Sequence, residues 1–397
     1  MNHRRRRYPY IILTLCFSIW TLIFVDRTIL SAVLPLIKTE LQLTHAQAGS
    51  LLSSLLASFS IVMFPASILL EKIGAKKSIL LSILWFSSAA LSVVLINNYL
   101  ELLLALFIFG SGLGIYFSSG IFLISELFSS ESRGKVLGIH EVAPPVGMII
   151  SFFLASLFTE MSLWRPLFIL CALPGFLLAL TFWHYVSEKE EETSLDRHTA
   201  FRSVLKDKRL LLLLGPFTLN VICVSGIIGM FPLYLTGDCD VEVSTTAIIM
   251  GIARIGGILG SFIAGSISDK FGRIQTLFIL LVATTASTLT FALLPFGSIT
   301  ILVLFFFIFC TDGYYPVNFA LISDIMSPTM RASATALHMT VALIIGGGIT
   351  PIIAGWIADV WGFTFVFLFL SLSAALGTLI LGALKKRHGL LEGSPKI

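Results

Sequence analysis

Ionisable side chains lie inside stretches of this sequence that are otherwise apolar. Five of them stand out: Asp26, Arg27, Glu141, Arg254 and Asp312. Residues three or four apart share one face of a helix, and Asp26, Arg27 and Arg254 have no opposite charge at those positions. Adjacent helical side chains point about 100° apart, so Asp26 and Arg27 serve each other poorly. We therefore expect their partners on other segments or on a ligand, for anion binding or proton transfer.

The two arginines suggest an anion site. Counted from the ends of their apolar stretches, Arg27 and Arg254 lie at similar depth, one in each half of the chain. A guanidinium pairs with carboxylate or phosphate through two parallel hydrogen bonds. We predict that both bind an anionic substrate; the alternative is a structural Asp–Arg pair that holds two helices together.

Further polar and aromatic side chains are candidates to line the same cavity. Asp312 is predicted to contact substrate or to pair with an arginine, and Tyr315 is a rival partner for it. Plain helix packing is the alternative for the aromatic and amide residues. The remaining predicted substrate contacts are Tyr116, Asn220 and Asn318.

The segment GIHEVAPPVG is the strongest candidate for proton transfer. Its two prolines, Pro144 and Pro145, lack backbone donors and leave the carbonyls of His140 and Glu141 without their helical partners. A distorted polar turn in a transmembrane helix usually faces a cavity. We predict that Glu141, with neighbouring His140, carries a proton, and Asp26 is the rival carrier. A salt bridge from Glu141 to a nearby base is the alternative.

The composition places the chain in a membrane. Hydrophobic residues make up 56% of it and charged residues 12%, against about 25% charged in an ordinary soluble domain. The sequence shows no phosphate-binding glycine loop, nucleophile elbow, zinc signature or cysteine framework. We therefore expect no enzyme activity, no metal, no cofactor and no nucleic-acid partner; the expected partners are a small substrate, protons and membrane lipids.

Hydropathy predicts an all-α membrane protein with twelve transmembrane helices in two halves of six. The predicted helices lie at 10–37, 47–70, 78–96, 100–125, 136–158, 165–186, 210–236, 244–268, 274–294, 299–323, 333–357 and 363–384. A capping box, Thr44 to Gln47, precedes the second. We divide the chain into an N-terminal half at 1–186, a cytoplasmic linker at 187–209 and a C-terminal half at 210–397.

Basic residues predict the orientation. Of the 26 Lys and Arg, only Lys38 and Arg165 fall on one side of the membrane, Arg27 and Arg254 lie inside spans, and the other 22 fall on the opposite side. Cytoplasmic loops carry the excess of positive charge. Both termini are therefore predicted to be cytoplasmic. The absence of an Asn-x-Ser/Thr sequon fits a prokaryotic inner membrane.

The two halves repeat each other at an offset of 198 residues. LLEKIGAKK at 69–77 aligns with SISDKFGRI at 266–274, so that Gly74 matches Gly272. SELFSSESRG at 125–134 aligns with SDIMSPTMRA at 323–332 at the same offset. Transporters are often built from such repeats, with a substrate site between them.

These motifs resemble the major facilitator superfamily. GSISDKFGRI is similar to its loop motif Gly-x-x-x-Asp-Arg/Lys-x-Gly-Arg, and the N-terminal copy departs from it at Ser67, Glu71 and Ala75. The stretch VDRTILSAVLPL resembles the organic anion/proton symporter branch and, less closely, the spinster-like carriers. The resemblance implies loop residues that act as cytoplasmic gates: Asp269 with Arg273 and Arg331 in one half, and Glu71 with Arg133 in the other.

The sequence thus predicts a monomeric secondary transporter that moves a small organic anion by alternating access, coupled to protons. Two alternatives remain open at this point. One is an exporter of a drug or an amphiphilic, lipid-like compound. The other is a membrane sensor that binds a ligand without translocating it.

Overall fold

The computed structural model describes residues 2–159, 161, 163–186, 207–327 and 330–386. Within these residues the chain is helical and contains no strand. Most of the predicted linker, residues 187–206, lies outside the described part. In order, the helices are α1 (Asn2–Glu40), α2 (His45–Val93), α3 (Tyr99–Leu127), α4 (Ser130–His140), α5 (Ala143–Thr159), α6 (Arg165–Tyr185), α7 (Lys208–Gly237), α8 (Val243–Phe271), α9 (Arg273–Leu293), α10 (Ser298–Ile325), α11 (Arg331–Ala342), a π-helical segment (Leu343–Ile349), α12 (Thr350–Trp361) and α13 (Phe363–Lys386).

The predicted number of membrane spans is confirmed. The described residues contain twelve helices that are long and apolar enough to cross a bilayer. Several of the predicted spans differ in detail. The third ends at Val93, three residues before the predicted end. The eleventh is interrupted by the π-helical segment Leu343–Ile349, whose three consecutive glycines carry no side chains to enforce α-helical packing.

Polar side chains cap the starts of several helices. The predicted capping box is confirmed, since Thr44 N donates to Gln47 Oε1 at 3.0 Å and Gln47 N donates to Thr44 Oγ1 at 3.1 Å. At the start of α7, the Asp207 carboxylate accepts from the backbone N–H of Arg209 at 2.9 Å and from its guanidinium at 2.8 Å. These hydrogen bonds to Arg209 hold the pKa of Asp207 below its ordinary value.

Two glycines at equivalent positions of the repeat reverse the chain direction between spans. Gly74 breaks α2 with φ 78° and ψ 165°, and Gly272 precedes α9 with φ 89° and ψ 146°. This region of conformational space is essentially restricted to glycine. A β-carbon would meet no atom within 4 Å at either position. The backbone conformation, and not a lack of space, therefore requires glycine.

The chain forms two compact units. The first contains Met1–Leu43, Ser50–Thr193 and Val241–Gly251. The second contains Thr44–Gly49, Ser194–Asp240 and Ile252–Ile397. The start of α2 thus belongs to the second unit and the start of α8 to the first, which differs from a division at the linker alone.

Each unit has one helix that packs against most of the others. In the first unit, α1 contacts α3, α4, α5 and α6, and in the second, α7 contacts α10, α11, the π-helical segment, α12 and α13. The two helices therefore bring side chains from several spans of their own unit together.

An ion pair fastens the end of α1 to the start of α6. Arg165 Nη1 lies 2.5 Å from Glu40 Oε1, and Trp164 Nε1 donates to Glu40 Oε2 at 2.6 Å. Arg165 also donates to the Ile96 carbonyl at 3.0 Å, and its guanidinium lies 4.3 Å from the Trp164 ring centroid. Arg165 therefore has a structural role within the first unit.

The glycine conformation gives a test of the loop between α8 and α9. We expect Gly272→Ala to destabilise the protein by about 1–3 kcal/mol, because alanine is strained at this φ and ψ. Gly265→Ala is the matched control: this helical glycine also has open space around its β-position, and alanine is the better helix former. Thermal and denaturant unfolding of the purified variants measures both. Equal stability of the two variants would contradict the assignment of strain.

Candidate functional site

Arg254 of α8 is buried and paired with Asp312 of α10. Its side chain is only 2% exposed, and Nη1 lies 3.3 Å from Asp312 Oδ2. Charge-assisted N–H···O hydrogen bonds usually measure about 2.7–2.9 Å, so this single contact is long. Within the described part of the chain, Arg254 Nε has no hydrogen-bond partner. The guanidinium therefore retains donor capacity while its charge is compensated.

Gly257 makes the approach of Asp312 possible. It lies one turn after Arg254, and a β-carbon there would collide with Asp312 Oδ2. Gly256 and Gly260 similarly allow the backbone of α10 to pack closely, against the carbonyls of Phe305 and Phe309. Glycines of this stretch thus permit close helix packing, and Gly257 additionally leaves room for the carboxylate.

Arg27 of α1 lies between two aromatic rings. Its Cζ is 5.2 Å from the centroid of Phe24, one turn earlier, and 5.4 Å from the centroid of Phe59 on α2. Cation–π contacts within about 6 Å are attractive. The side chain is partly buried, so the rings orient the guanidinium without enclosing it completely.

Asp26 is fully buried beside Cys171 of α6. A thiol is only a weak donor, and in the described residues neither carboxyl oxygen reaches a hydrogen-bond partner. A carboxylate with neither a cation nor hydrogen bonds is costly inside a membrane. Asp26 can therefore be ionised there only if water or a cation reaches it, or if the surrounding side chains rearrange.

Tyr116, His140 and Glu141 form a chain of hydrogen bonds. The Tyr116 hydroxyl donates to the Cys16 carbonyl of α1 at 2.8 Å and lies 3.0 Å from His140 Nε2. His140 Nδ1 lies 3.1 Å from Glu141 Oε1. The predicted break in the span is confirmed, since α4 ends at His140 and α5 starts at Ala143. The break lets two consecutive residues contribute to one chain.

Trp20 stacks against this chain. Its ring lies 5.3 Å from the Tyr116 ring and 5.8 Å from the imidazole of His140, at interplanar angles of 25° and 9°. Tyr116 and His140 are buried, whereas the Glu141 side chain is 51% exposed. The hydroxyl of Tyr116, a predicted substrate contact, is enclosed here and bonded to Cys16 and His140.

Aromatic and amide side chains gather where α7 meets α10. Asn220 Nδ2 donates to the Thr311 carbonyl at 3.2 Å, and the Tyr315 ring packs edge-on against Phe217 at 5.4 Å. Asn318 is fully buried, and neither its amide nitrogen nor its oxygen has a partner among the described residues. Buried amides without partners are rare, so Asn318 is a candidate to bind water or substrate.

The loop before α9 carries a compact charge cluster. Arg273 Nη1 lies 2.5 Å from Asp269 Oδ1 and 2.6 Å from Ser268 Oγ, and its Nε lies 3.3 Å from Asp324 Oδ2. The predicted pairing of Asp269 with Arg273 is present. The predicted partner Arg331 instead donates to the Met326 carbonyl at 3.3 Å, and Asp324 takes its place.

The first unit has no arginine at the position of Arg273. Residue 75, which aligns with Arg273, is an alanine, so Glu71 and Glu126 have no base at that position. Glu71 and Arg133 are both exposed, and no ion pair joins them in the described structure. The predicted gate between Glu71 and Arg133 is therefore not formed here.

Three contributing residues were missed by sequence reasoning. Asp324 had a usable signal, because it aligns with Glu126 in the repeat. Trp20 and Gly257 had none: a tryptophan in an apolar run and a glycine in a glycine-rich stretch both read as packing. Only the crossing of α1 with α3 and of α8 with α10 gives them their roles.

Comparison with known proteins identifies the family to which this chain belongs. A model of the Major Facilitator Superfamily matches residues 16–341. The hexuronate transporter of Bacillus subtilis is 25% identical over 364 residues, which cover 85% of this chain and 85% of that protein. The cis,cis-muconate transport protein of Acinetobacter baylyi is 25% identical over 350 residues, which cover 84% of each chain.

A solved structure shares the fold. A bacterial homologue of the human lysosomal transporter Spinster, in an inward-facing and unoccupied conformation, superposes with a TM-score of 0.86 at 17% identity. The match covers 98% of this chain and 99% of that one. The predicted superfamily, the twelve-helix fold and the absence of enzyme function are thus confirmed.

The Arg254–Asp312 pair gives a stability prediction. Asp312→Leu should destabilise the protein by about 3–5 kcal/mol, because it leaves a buried guanidinium without its counterion. The double variant Arg254→Met/Asp312→Leu should recover most of that loss, since an apolar pair of similar volume needs no charge compensation. Unfolding of the single and double variants measures the coupling. Additive losses would mean that the two charges do not depend on each other.

Proposed function

Because the chain belongs to the Major Facilitator Superfamily, we propose that it moves a small organic anion across the membrane by alternating access, coupled to protons. The observation that carries the anionic substrate is Arg254: a buried guanidinium held by one long contact, with a further donor unused. Two similar proteins are named as transporters of hexuronate and of cis,cis-muconate, which agrees with a carboxylate cargo.

In this proposal the substrate carboxylate binds Arg254 in competition with Asp312. The 3.3 Å contact leaves the ion pair weaker than an optimal bidentate one. A carboxylate that uses Nε and one Nη nitrogen would gain two parallel hydrogen bonds. Asn220, Asn318 and Tyr315 of the same unit are proposed to contact the rest of the substrate.

Arg27 is the proposed anion-binding residue of the first unit. Phe24 and Phe59 orient its guanidinium by cation–π contacts, and a guanidinium pairs with a carboxylate through two parallel hydrogen bonds. Lysine would keep the charge and lose both the flat face and the paired donors.

Asp26 and the His140–Glu141 pair are the proposed proton carriers. Each can reduce the cost of a charge inside the membrane by exchanging a proton. A guanidinium cannot do so, because it stays protonated at physiological pH. Asp26 is enclosed, whereas Glu141 is half exposed. The two sites therefore differ in how directly protons reach them.

The charged loop cluster is the proposed gate. Arg273 links the end of α8 through Asp269 to α10 through Asp324. Loss of these contacts is proposed to accompany the movement of the second unit during the transport cycle.

We further propose that this loop and both termini face the cytoplasm of a prokaryotic cell, and that the protein works as a monomer.

Transport assays on matched variants test the function and the proton carrier. Purified protein in liposomes is assayed for exchange of labelled hexuronate or muconate and for uptake driven by a pH gradient. Asp26→Asn and Glu141→Gln should retain exchange, because neither removes an arginine. The variant that lacks the carrier should lose at least about tenfold in gradient-driven uptake, the change expected from removal of a general acid–base group.

The outcomes separate the parts of this proposal. Exchange without any response of the parent protein to a pH gradient would exclude proton coupling. Gradient-driven uptake in both variants would exclude Asp26 and Glu141 as carriers. Failure of a panel of mono- and dicarboxylates to exchange or to shift the melting temperature would contradict the anionic substrate.

Cys239 tests the proposed orientation with a native thiol. It lies between α7 and α8 and is partly exposed, whereas the other four cysteines are buried. We expect a membrane-impermeant maleimide to label it in intact cells, and Cys239→Ser to remove the label. Burial raises the pKa of the Cys239 thiol, so the reactive thiolate is scarce at neutral pH and labelling should accelerate as the pH rises above 8. Labelling only after the membrane is permeabilised would reverse the orientation.

A further inference from the structure

The hydrogens in the row of hydrogen bonds from the Cys16 carbonyl to the Glu141 carboxyl can be counted. The Cys16 carbonyl can only accept, so the single hydroxyl hydrogen of Tyr116 is committed to it. The contact between Tyr116 and His140 then needs a hydrogen on Nε2 of the imidazole. His140 is therefore the donor in this contact, and the Tyr116 oxygen is the acceptor.

The third contact needs one more proton. A neutral imidazole with its hydrogen on Nε2 has a bare Nδ1, which faces Glu141 Oε1 at 3.1 Å. A bare nitrogen and a carboxylate oxygen are both acceptors and repel each other. The contact forms only if the imidazole is protonated on both nitrogens or the Glu141 carboxyl carries the hydrogen. The intact chain therefore holds one proton more than a neutral histidine and a carboxylate.

Loss of that proton breaks one of the three contacts. With two hydrogens left, His140 can keep its bond to Glu141 only by moving its hydrogen to Nδ1. Nε2 then becomes an acceptor, and Tyr116 must turn its hydroxyl from Cys16 to His140. The alternative keeps the bond to Cys16 and loses the one to Glu141. In the first case Tyr116 loses its bond to α1, and in the second His140 loses its bond to Glu141, so all three contacts are present together only while the proton is bound.

The repeat supplies a natural comparison within the same chain. Tyr314 and His338 lie 198 residues after Tyr116 and His140, and both rings pack against Phe217. His338 Nε2 donates to the Leu210 carbonyl at 3.0 Å. The residue after it, at the position of Glu141, is Met339. The second unit thus keeps the tyrosine and the histidine but has no acid beside them.

Side chains of three helices surround the chain. The titratable groups that meet Tyr116 are the Cys16 thiol of α1 and the Glu141 carboxyl, and Trp20 covers one face of the imidazole. The basic residues of α4, Arg133 and Lys135, are exposed and lie two turns and more than one turn before His140.

We infer that Tyr116 is a positioning residue that makes His140 and Glu141 a one-proton site. This inference rests on the proposed proton coupling for its role in transport, although the proton count itself does not. Tyr116 is fully buried. It acts by supplying an acceptor for the Nε2 hydrogen, which a protonated imidazole always carries, whereas a neutral one can carry its hydrogen on Nδ1 instead.

The test follows the emission of Trp20 in the purified protein as the pH is varied. A protonated imidazole stacked on an indole quenches its fluorescence, and the signal of Trp20 is obtained by subtraction of a Trp20→Phe variant. In Tyr116→Phe the charged imidazole is left with an Nε2 hydrogen that has no acceptor, whereas the neutral one can move its hydrogen to Nδ1 and keep its bond to Glu141. The midpoint of quenching should move about one pH unit lower, as expected from the loss of one hydrogen bond to a charged group. The matched control Tyr314→Phe should leave the midpoint unchanged.

A second variant keeps the test decisive if Tyr116→Phe does not fold. In Glu141→Gln the amide can donate to Nδ1, so the chain is complete without the additional proton and no carboxylate favours the charged imidazole; the midpoint of quenching should therefore move to lower pH. An unchanged midpoint in Tyr116→Phe, or a parent-like midpoint in Glu141→Gln, overturns the inference. The measurement uses neither substrate nor gradient. Absence of proton-driven uptake with a shifted midpoint would therefore contradict the proposed function and leave this inference standing.

Discussion

The hydrocarbon core of a membrane offers no hydrogen-bond partner and no counterion. Polar groups within the spans of this protein must therefore find their partners inside the protein. Backbone groups are satisfied by the helices themselves, so the demand falls on side chains within the spans. Arg254 meets it with Asp312, and Arg27 meets part of it with two aromatic rings. Asp26 and Asn318 are buried without hydrogen-bond partners in the described structure. Such residues are where a proton, water or substrate has most to contribute.

The repeat shows which features both units retain and which belong to one of them. Both keep a glycine with a positive φ between equivalent spans, at Gly74 and Gly272, because no other residue adopts that conformation cheaply. The arginine of the charge cluster, Arg273, occurs only in the second unit, since alanine replaces it in the first. An acid beside the buried histidine occurs only in the first. Backbone geometry is thus retained in both copies, while charge differs between them.

The sequence was sufficient for features set by local or one-dimensional rules. Apolar length predicted the twelve spans, proline pairs predicted the break at Glu141, and the Thr44 capping box was found from its spacing. The sequence did not show which of several possible partners each buried polar residue contacts. Whether Arg254 meets Asp312 depends on the close crossing of α8 and α10, and the enclosure of Tyr116 depends on the packing of α1 against α3. Sequence patterns define which residues need a partner, but only the packing of the helices decides which partner each one finds.

The two units deal with the cost of buried charge by different chemistry, and this difference matters for the proposed mechanism. A guanidinium stays protonated at any physiological pH, so Arg254 needs an anion beside it at every stage of a cycle. Asp312 provides that anion when no substrate is bound, and exchange of one carboxylate for another leaves the local charge unchanged. Asp26 and the His140–Glu141 pair instead reach neutrality by gaining or losing a proton. A transporter that combines the two can bind its anion at a site of constant charge while a separate set of groups follows the pH.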